Sequence, residues 1–272
     1  MQANAQALHW GLGVNHLSKS LWFLFTFFVI AFLTLPLLLV VLFSFNASAL
    51  TSLPLTGLTL GWYGTLLANQ SFWPALRASL VIGAVVALCS VVIGTLAAIG
   101  LVRSRQRWAG AVMTALMAPM MIPSLIIGIA LLSYFVRFLQ FPLGLPTVIM
   151  SQLVIVVPFV VAIVFARLSA FDWSLVESAR DLGASSWEAF MTITLPIIQP
   201  TVIGAGLMAL AISLDDFIIT FFTIGSGNTL PTMVWGMVRT SLDPSINAMA
   251  TLLILLSIGS TALALAISKY RG

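Results

Sequence analysis

Charge is what this sequence has least of. Of its 272 residues only 7% are charged, against 61% hydrophobic, and the mean hydropathy is +1.14. A soluble domain carries about 25% charged residues, so too few are present to cover a water-facing surface. That excludes an ordinary soluble globular protein. Cysteine is nearly absent too. The single Cys89 excludes an intrachain disulfide and a cysteine-rich metal site. The histidines are two, His9 and His16, and both lie near the N-terminus. Metal ligands are therefore not clustered, which argues against a membrane metalloenzyme. The apolar runs also lack the alternation that barrel strands need. What the sequence does have is long apolar runs, close to the roughly 20 residues that span a bilayer as a helix. The fold class is read as all-α integral membrane.

Six transmembrane helices are expected, over 20–45, 74–101, 109–136, 145–166, 198–222 and 246–268. They form one six-helix transmembrane domain, 20–272, after a polar cytoplasmic tail, 1–19. The excess of lysine and arginine marks cytoplasmic loops. With the N-terminus inside, Lys19, Arg103, Arg105, Arg107, Arg167, Arg180, Lys269 and Arg271 fall on the cytoplasmic side, and Arg77, Arg137 and Arg239 outside. Both termini are then cytoplasmic. The net charge of +4 follows from this topology. Its spread over several loops points away from nucleic acid. The first run, at about 25 residues, exceeds a signal-peptide core of about 7–15, and is read as a retained helix. The tail's "GVNHLSKS" (13–20) resembles a phosphate loop, but Ser18 replaces a glycine and no strand precedes it.

The outer loop 46–73 has no charge and carries Trp62 and Tyr63, which suit a membrane–water boundary. Pro119 and Pro123 in the third span and Pro158 in the fourth remove helical hydrogen bonds, so these spans are expected to kink or open. Whether the prolines serve motion or static packing stays open.

The longest cytoplasmic segment, 167–197, holds four of the seven acids: Asp172, Glu177, Asp181 and Glu188. Ser174 and Glu177 have capping-box spacing, so a helix is expected from 175. Gly183 suits its left-handed end. Ser185 and Glu188 repeat the spacing and start a second helix, which Pro196 is expected to limit. Leu175, Ala179 and Leu182 form an apolar stripe. Glu177 and Asp181, four residues apart, repel by a few tenths of a kcal/mol. A basic partner would relieve that conflict, and a solvated loop without a partner is the plain alternative.

The same loop resembles the EAA motif of permease subunits of binding-protein-dependent ABC importers. Glu177, Ser178 and Ala179, then Gly183, then Ile193, Leu195 and Pro196 match its spacing, with Ser178 in place of alanine. The pieces "LPLLLVVLFSFNAS" (35–48), "WYGTLL" (62–67), "SLDDF" (213–217) and "DPSINAMATLLI" (243–254) resemble spermidine/putrescine permeases of the second-subunit type. The resemblance implies a MetI-like architecture in a bacterial inner membrane. It implies that Glu177, Ser178, Ala179, Asp181, Leu182 and Gly183 belong to a loop that docks on an ATPase subunit. It further implies a second homologous permease, two ATPase subunits, an extracytoplasmic solute-binding protein, and a polyamine as solute. This chain would hold no cofactor or metal, and ATP with Mg would bind the partner ATPase. Relatives carrying other cationic or organic solutes share the pattern.

Asp215 and Asp216 are adjacent within an apolar run. Asp215 lies fifteen residues after Pro200, about 22 Å along a helix at 1.5 Å per residue. In a core about 30 Å thick, both acids fall in the outer part. A charge at mid-membrane costs about 2.5–3.5 kcal/mol on the insertion scale. Three readings compete: a carboxylate lining a cation path, a structural pair held by Arg77 or Arg239, and a catalytic pair. Helical neighbours diverge by about 100°, which counts against a shared-water dyad, and there is no G-x-G-D stretch. On a continuous helix only one aspartate faces a path. An ion-coupled transporter using one of them is the alternative from a different class.

Overall fold

The computed structural model describes residues 16–48, 54–103, 106–240 and 243–269. The tail with His9, the first three residues of "GVNHLSKS", Arg105 and Arg271 lie outside these. Twelve helices succeed one another along the chain among the described residues. They are α1 (His16–Ser44), α2 (Gly61–Ala68), α3 (Phe72–Arg103), α4 (Gln106–Met121), α5 (Ser124–Ser133), α6 (Leu145–Ser169), α7 (Ser174–Asp181), α8 (Ser186–Ala189), α9 (Leu195–Asp215), α10 (Ile218–Thr223), α11 (Leu230–Thr240) and α12 (Ser245–Lys269). Two π-helical turns, Tyr134–Phe138 and Phe190–Thr194, extend α5 and join α8 to α9.

Among the described residues, five stretches are long and apolar enough to cross a membrane: Leu21–Ser44, Phe72–Arg103, Leu145–Ser169, Ser186–Asp215 and Ser245–Ala262. A sixth forms only if two half-helices count as one span. The expected third span is broken: Trp108–Met121 and Ser124–Phe138 meet at 93°. Pro123 is the physical cause. It has no N–H to give the preceding turn, and its own backbone is extended, at φ −54° and ψ 131°. Pro119 and Pro158, by contrast, stay inside α4 and α6.

The core is built where α3, α6 and α9 meet. Ile82 and Val86 of α3, Val156, Val160 and Val164 of α6, and Ile198, Ala205 and Ala209 of α9 are buried there. Between helices in lipid, association depends on close packing and small residues. Gly94 shows how close: a Cβ there would sit 2.7 Å from Val160 Cγ1. α1 differs. It packs against α12, and almost none of its apolar span is buried among the described residues.

The segment 46–73, expected as a loop, carries α2 and a bridge between Asn46 and Leu58. Ser44 Oγ meets Tyr63 Oη at 2.8 Å, and Trp62 Nε1–H donates to the Asn46 carbonyl at 2.7 Å. The two aromatics thus fasten the end of α1 to α2.

Candidate functional site

The site has two ends joined by one helix. At the first end, α7 begins at Ser174, one residue before the expected start, and without the Ser174–Glu177 capping box. Asp172 does the capping instead: its Oδ1 accepts the Ser174 N–H at 3.0 Å. The hydroxyl of Ser174, and then its N–H, hold the Asp172 carboxyl below its usual pKa. Gly183 ends the helix at φ +95°. Its N–H reaches the Arg180 carbonyl at 3.0 Å and the Ala184 N–H reaches Ala179 at 3.0 Å. This is the paired closure that left-handed glycine permits. Ser185 and Glu188 make the expected box, with Ser185 N–H donating to Glu188 Oε2 at 2.7 Å and Glu188 N–H to Ser185 Oγ at 3.2 Å.

Pro196 does not stop the second helix. The turn Phe190–Thr194 widens to π geometry, and the Leu195 N–H bonds to the Phe190 carbonyl. The wider turn makes room for the proline ring, and α8 runs on into α9.

The apolar stripe also reads differently in three dimensions. Leu182 is 91% exposed and Leu175 45%, while Val176, one position on from Leu175, is buried. α7 is held to the body by Val176, by half-buried Ala179 and by Trp173, which packs on Phe171 and lies under the Arg103 guanidinium at 5.6 Å. Turned outward are Leu175, Glu177, Ser178, Asp181, Leu182 and Gly183, with Trp187 66% exposed beside them. This is an apolar and acidic knob with nothing among the described residues covering it.

From this knob the continuous course Ser186–Asp215 runs 30 residues, about 45 Å at 1.5 Å per residue. It stops at Asp215. The expectation of an unbroken helix to 222 is therefore corrected: Asp216 is extended, at φ −68° and ψ 112°, and α10 restarts at Ile218. The cause is a side chain competing with the helix for backbone donors. Asp216 Oδ2 accepts the Thr220 N–H at 2.9 Å and the Thr220 hydroxyl at 2.8 Å. Gln152 of α6 completes the knot. Its Nε2 donates to Thr220 Oγ1 at 2.9 Å and to Asp216 Oδ2 at 3.4 Å, and its Oε1 accepts from the Ser213 hydroxyl.

Asp215 does none of this. It is exposed and has no hydrogen bond or ion pair among the described residues. It borders a cavity of about 430 Å3 between α1, α9 and α12, whose other walls include Leu37, Ile212, Leu253, Ile254 and Ser257. Neither aspartate is paired with Arg77 or Arg239, contrary to the structural-pair reading. A ring cluster comes next along the chain: Phe217 lies 5.5 Å from Phe221 and 5.4 Å from Trp235 of α11. Sequence reasoning missed Gln152, Thr220 and α11. Gln152 left a signal, as a polar side chain inside an apolar span, which needs a partner in the bundle.

Comparison with known proteins places these features. The family profile described as binding-protein-dependent transport system inner membrane component matches residues 90–270. The putrescine transport system permease protein PotI of Escherichia coli K12 is 37% identical over 231 residues, covering 82% of each chain. The spermidine/putrescine transport system permease protein PotC of the same strain is 34% identical, covering 85% of this chain and 87% of its own. PotC of Haemophilus influenzae is 33% identical over 246 residues, 90% and 95% of the two chains. Among solved structures, a bacterial ABC transporter that imports the acidic polysaccharide alginate aligns at TM-score 0.68 and 19% identity over 94% of this chain and 93% of its own. The inward-facing MetNI methionine ABC transporter aligns at 0.59 and 18%, over 79% of this chain and 100% of its own. These two likenesses concern the fold. The chain belongs to the family of binding-protein-dependent transport inner membrane components: it is a multi-pass, non-catalytic permease subunit of an ABC importer.

Proposed function

We propose that this permease carries polyamines, putrescine or spermidine, inward across the bacterial inner membrane. It would work beside a second homologous permease, two ATPase subunits and an extracytoplasmic solute-binding protein. The supporting observation is Asp215: an unpaired carboxylate bordering an otherwise largely apolar cavity within the membrane. A lone charge at the bilayer centre costs about 2.5–3.5 kcal/mol on the insertion scale, and less toward the interface, where Asp215 is expected. An ammonium group passing beside it offsets that cost, so the site favours an organic cation over a neutral or anionic solute. The relatives named for putrescine and spermidine narrow the cation to a polyamine. Another cationic solute is the second reading, because one carboxylate does not measure chain length.

The driving chemistry, ATP hydrolysis with Mg, lies on the partner ATPase. This chain converts it to motion. The outward knob of Leu175, Glu177, Ser178, Asp181, Leu182 and Gly183, anchored from behind by Ala179, docks on the ATPase, where basic groups relieve the Glu177–Asp181 repulsion. Displacement of the knob moves the Ser186–Asp215 helix along its length. The interruption at Asp216 lets the helix move against α10, so that Asp215 changes exposure between the two sides. The distribution of lysine and arginine supports the orientation, with the knob and both termini in the cytoplasm.

The test is uptake of labelled putrescine and spermidine by the reconstituted complex. Uptake requires ATP and is indifferent to ion gradients. Glu177→Lys abolishes transport-coupled ATP hydrolysis while the subunit remains inserted. Normal transport in that variant, or uptake driven by an ion gradient alone, contradicts the proposal.

A further inference from the structure

A helix that stops leaves its last carbonyls without donors. In an unbroken course the Ser213 carbonyl would accept the Phe217 N–H, four residues on. Asp216 is extended, so α9 ends before that donor is in place. In the membrane no water stands in for it, and the protein must supply a donor of its own. Gln152 of α6 does so. Its Nε2 lies 3.4 Å from the Ser213 carbonyl, 3.4 Å from Asp216 Oδ2 and 2.9 Å from Thr220 Oγ1. Gln152, Ser213 and Thr220 are all buried. One side chain thus grips the chain on both sides of the break, and Asp215 lies between the two grips.

These bonds leave the amide one orientation. The Thr220 hydroxyl donates to Asp216 Oδ2, so its oxygen is free to accept from Gln152. An ionised carboxylate only accepts, and an amide donates from nitrogen alone. The nitrogen therefore faces Asp216 and Thr220, and Oε1 faces Ser213, whose hydroxyl donates to it. The run from Ser213 through Gln152 and Thr220 to Asp216 points one way, and buried bonds in such a series strengthen one another. α6 supports the run firmly. Thr147, also on α6, donates its hydroxyl to the Thr223 carbonyl at 2.7 Å, so α10 is tied to α6 at two points.

Asp215 has no hydrogen bond or ion pair of its own among the described residues. The direction of its carboxylate therefore follows from its backbone. Successive helical residues turn by about 100°, so Ser213 held against α6 sends Asp215, two residues on, about 200° round and away from α6. Ala211 and Ile212, which share that far face, line the same cavity as Asp215. We infer that Gln152 is a positioning residue for transport: by fixing Ser213 and Asp216 to α6 it holds the last turn of α9 and aims Asp215 at the cavity. It does not touch the solute. The inference rests on the reading of Asp215 as the cation-facing group. Without Gln152 the end of α9 frays, as unanchored helix ends do, and the carboxylate loses its fixed direction.

The experiment measures labelled putrescine taken up per ATP hydrolysed, in proteoliposomes of the complete complex with saturating binding protein. Gln152→Leu keeps the bulk of the side chain, removes its polar atoms, and is expected to lower the ratio about fivefold or more. Asp215→Asn lowers the ratio by itself. Adding Gln152→Leu to it lowers the ratio by less than about twofold further, because the group being positioned is already gone. A glutamine with only a structural role gives another pattern: the two losses multiply, or uptake and hydrolysis fall together and the ratio holds. Either result overturns the inference. Where Gln152→Leu does not assemble, Ser213→Ala repeats the test with the loss of one hydroxyl. The ratio then falls about twofold or more in the wild-type background and not in Asp215→Asn. An unchanged ratio in both backgrounds overturns the inference. Wild-type uptake in Asp215→Asn overturns the cation reading itself, whereas a defective Asp215→Asn beside a normal Gln152→Leu overturns only the positioning role.

Discussion

Asp216 gives its Oδ2 to the Thr220 N–H and hydroxyl, and Gln152 reaches both groups from α6. Asp215, one residue earlier, has only the cavity. Adjacent carboxylates thus take different roles because the helix ends between them. Removing the Asp216 carboxylate leaves the Thr220 N–H and the Thr220 hydroxyl without their acceptor, at a cost of about 1–3 kcal/mol per unsatisfied buried group. Asp216→Ala is expected to lower the Tm of the purified complex, and Asp215→Ala to leave it unchanged. Equal Tm losses would show that both acids are structural. The pair itself was visible in the sequence, as two of only seven acids. Their division of labour was not, because it depends on Gln152, 64 residues away in the chain and close only once α6 packs on α9.

At the scale of elements, the α7–α8 turn was the most legible part of the chain. Gly183 and the Ser185–Glu188 box are local signals, read within a few residues, and both hold in the structure. The Ser174–Glu177 box did not form, because Asp172 reached the same donor first. The apolar stripe failed for a physical reason too. A stripe on a helix names a face, but not whether that face meets its own chain or another protein. Here Val176 meets the chain and Leu182 does not. Gly183 tests the turn. An alanine at φ +95° is strained by about 1–2 kcal/mol, and the strain falls on the residue joining knob to lever. Gly183→Ala is expected to keep the subunit in the membrane and to reduce the stimulation of ATP hydrolysis by binding protein. Full stimulation would separate the turn from coupling.

The whole molecule is a packed centre with loosely attached parts. α3, α6 and α9 are held by contacts as close as that of Gly94 with Val160, while α1 lies almost wholly outside. Apolar runs of about 20 residues fix the number of spans, but not their continuity. The break at Pro123 was signalled by the proline, and the break at Asp216 only by the weaker local pairing of Asp216 with Thr220, four residues on. Both breaks lie on packed neighbours, since α5 and α10 are in contact and a Cβ on Gly128 would come 2.8 Å from the Phe222 ring. The half-helices beyond the two breaks are therefore joined to each other, while the continuous helix Ser186–Asp215 runs to the knob. The central claim is that this lever presents Asp215 to a passing cation. It is tested most directly by labelled putrescine uptake and ATP hydrolysis measured together in proteoliposomes of the Asp215→Asn complex. The account predicts that uptake falls about tenfold or more, as expected for an interaction worth at least about 1.4 kcal/mol, while binding protein still stimulates hydrolysis. Wild-type uptake by Asp215→Asn would contradict it.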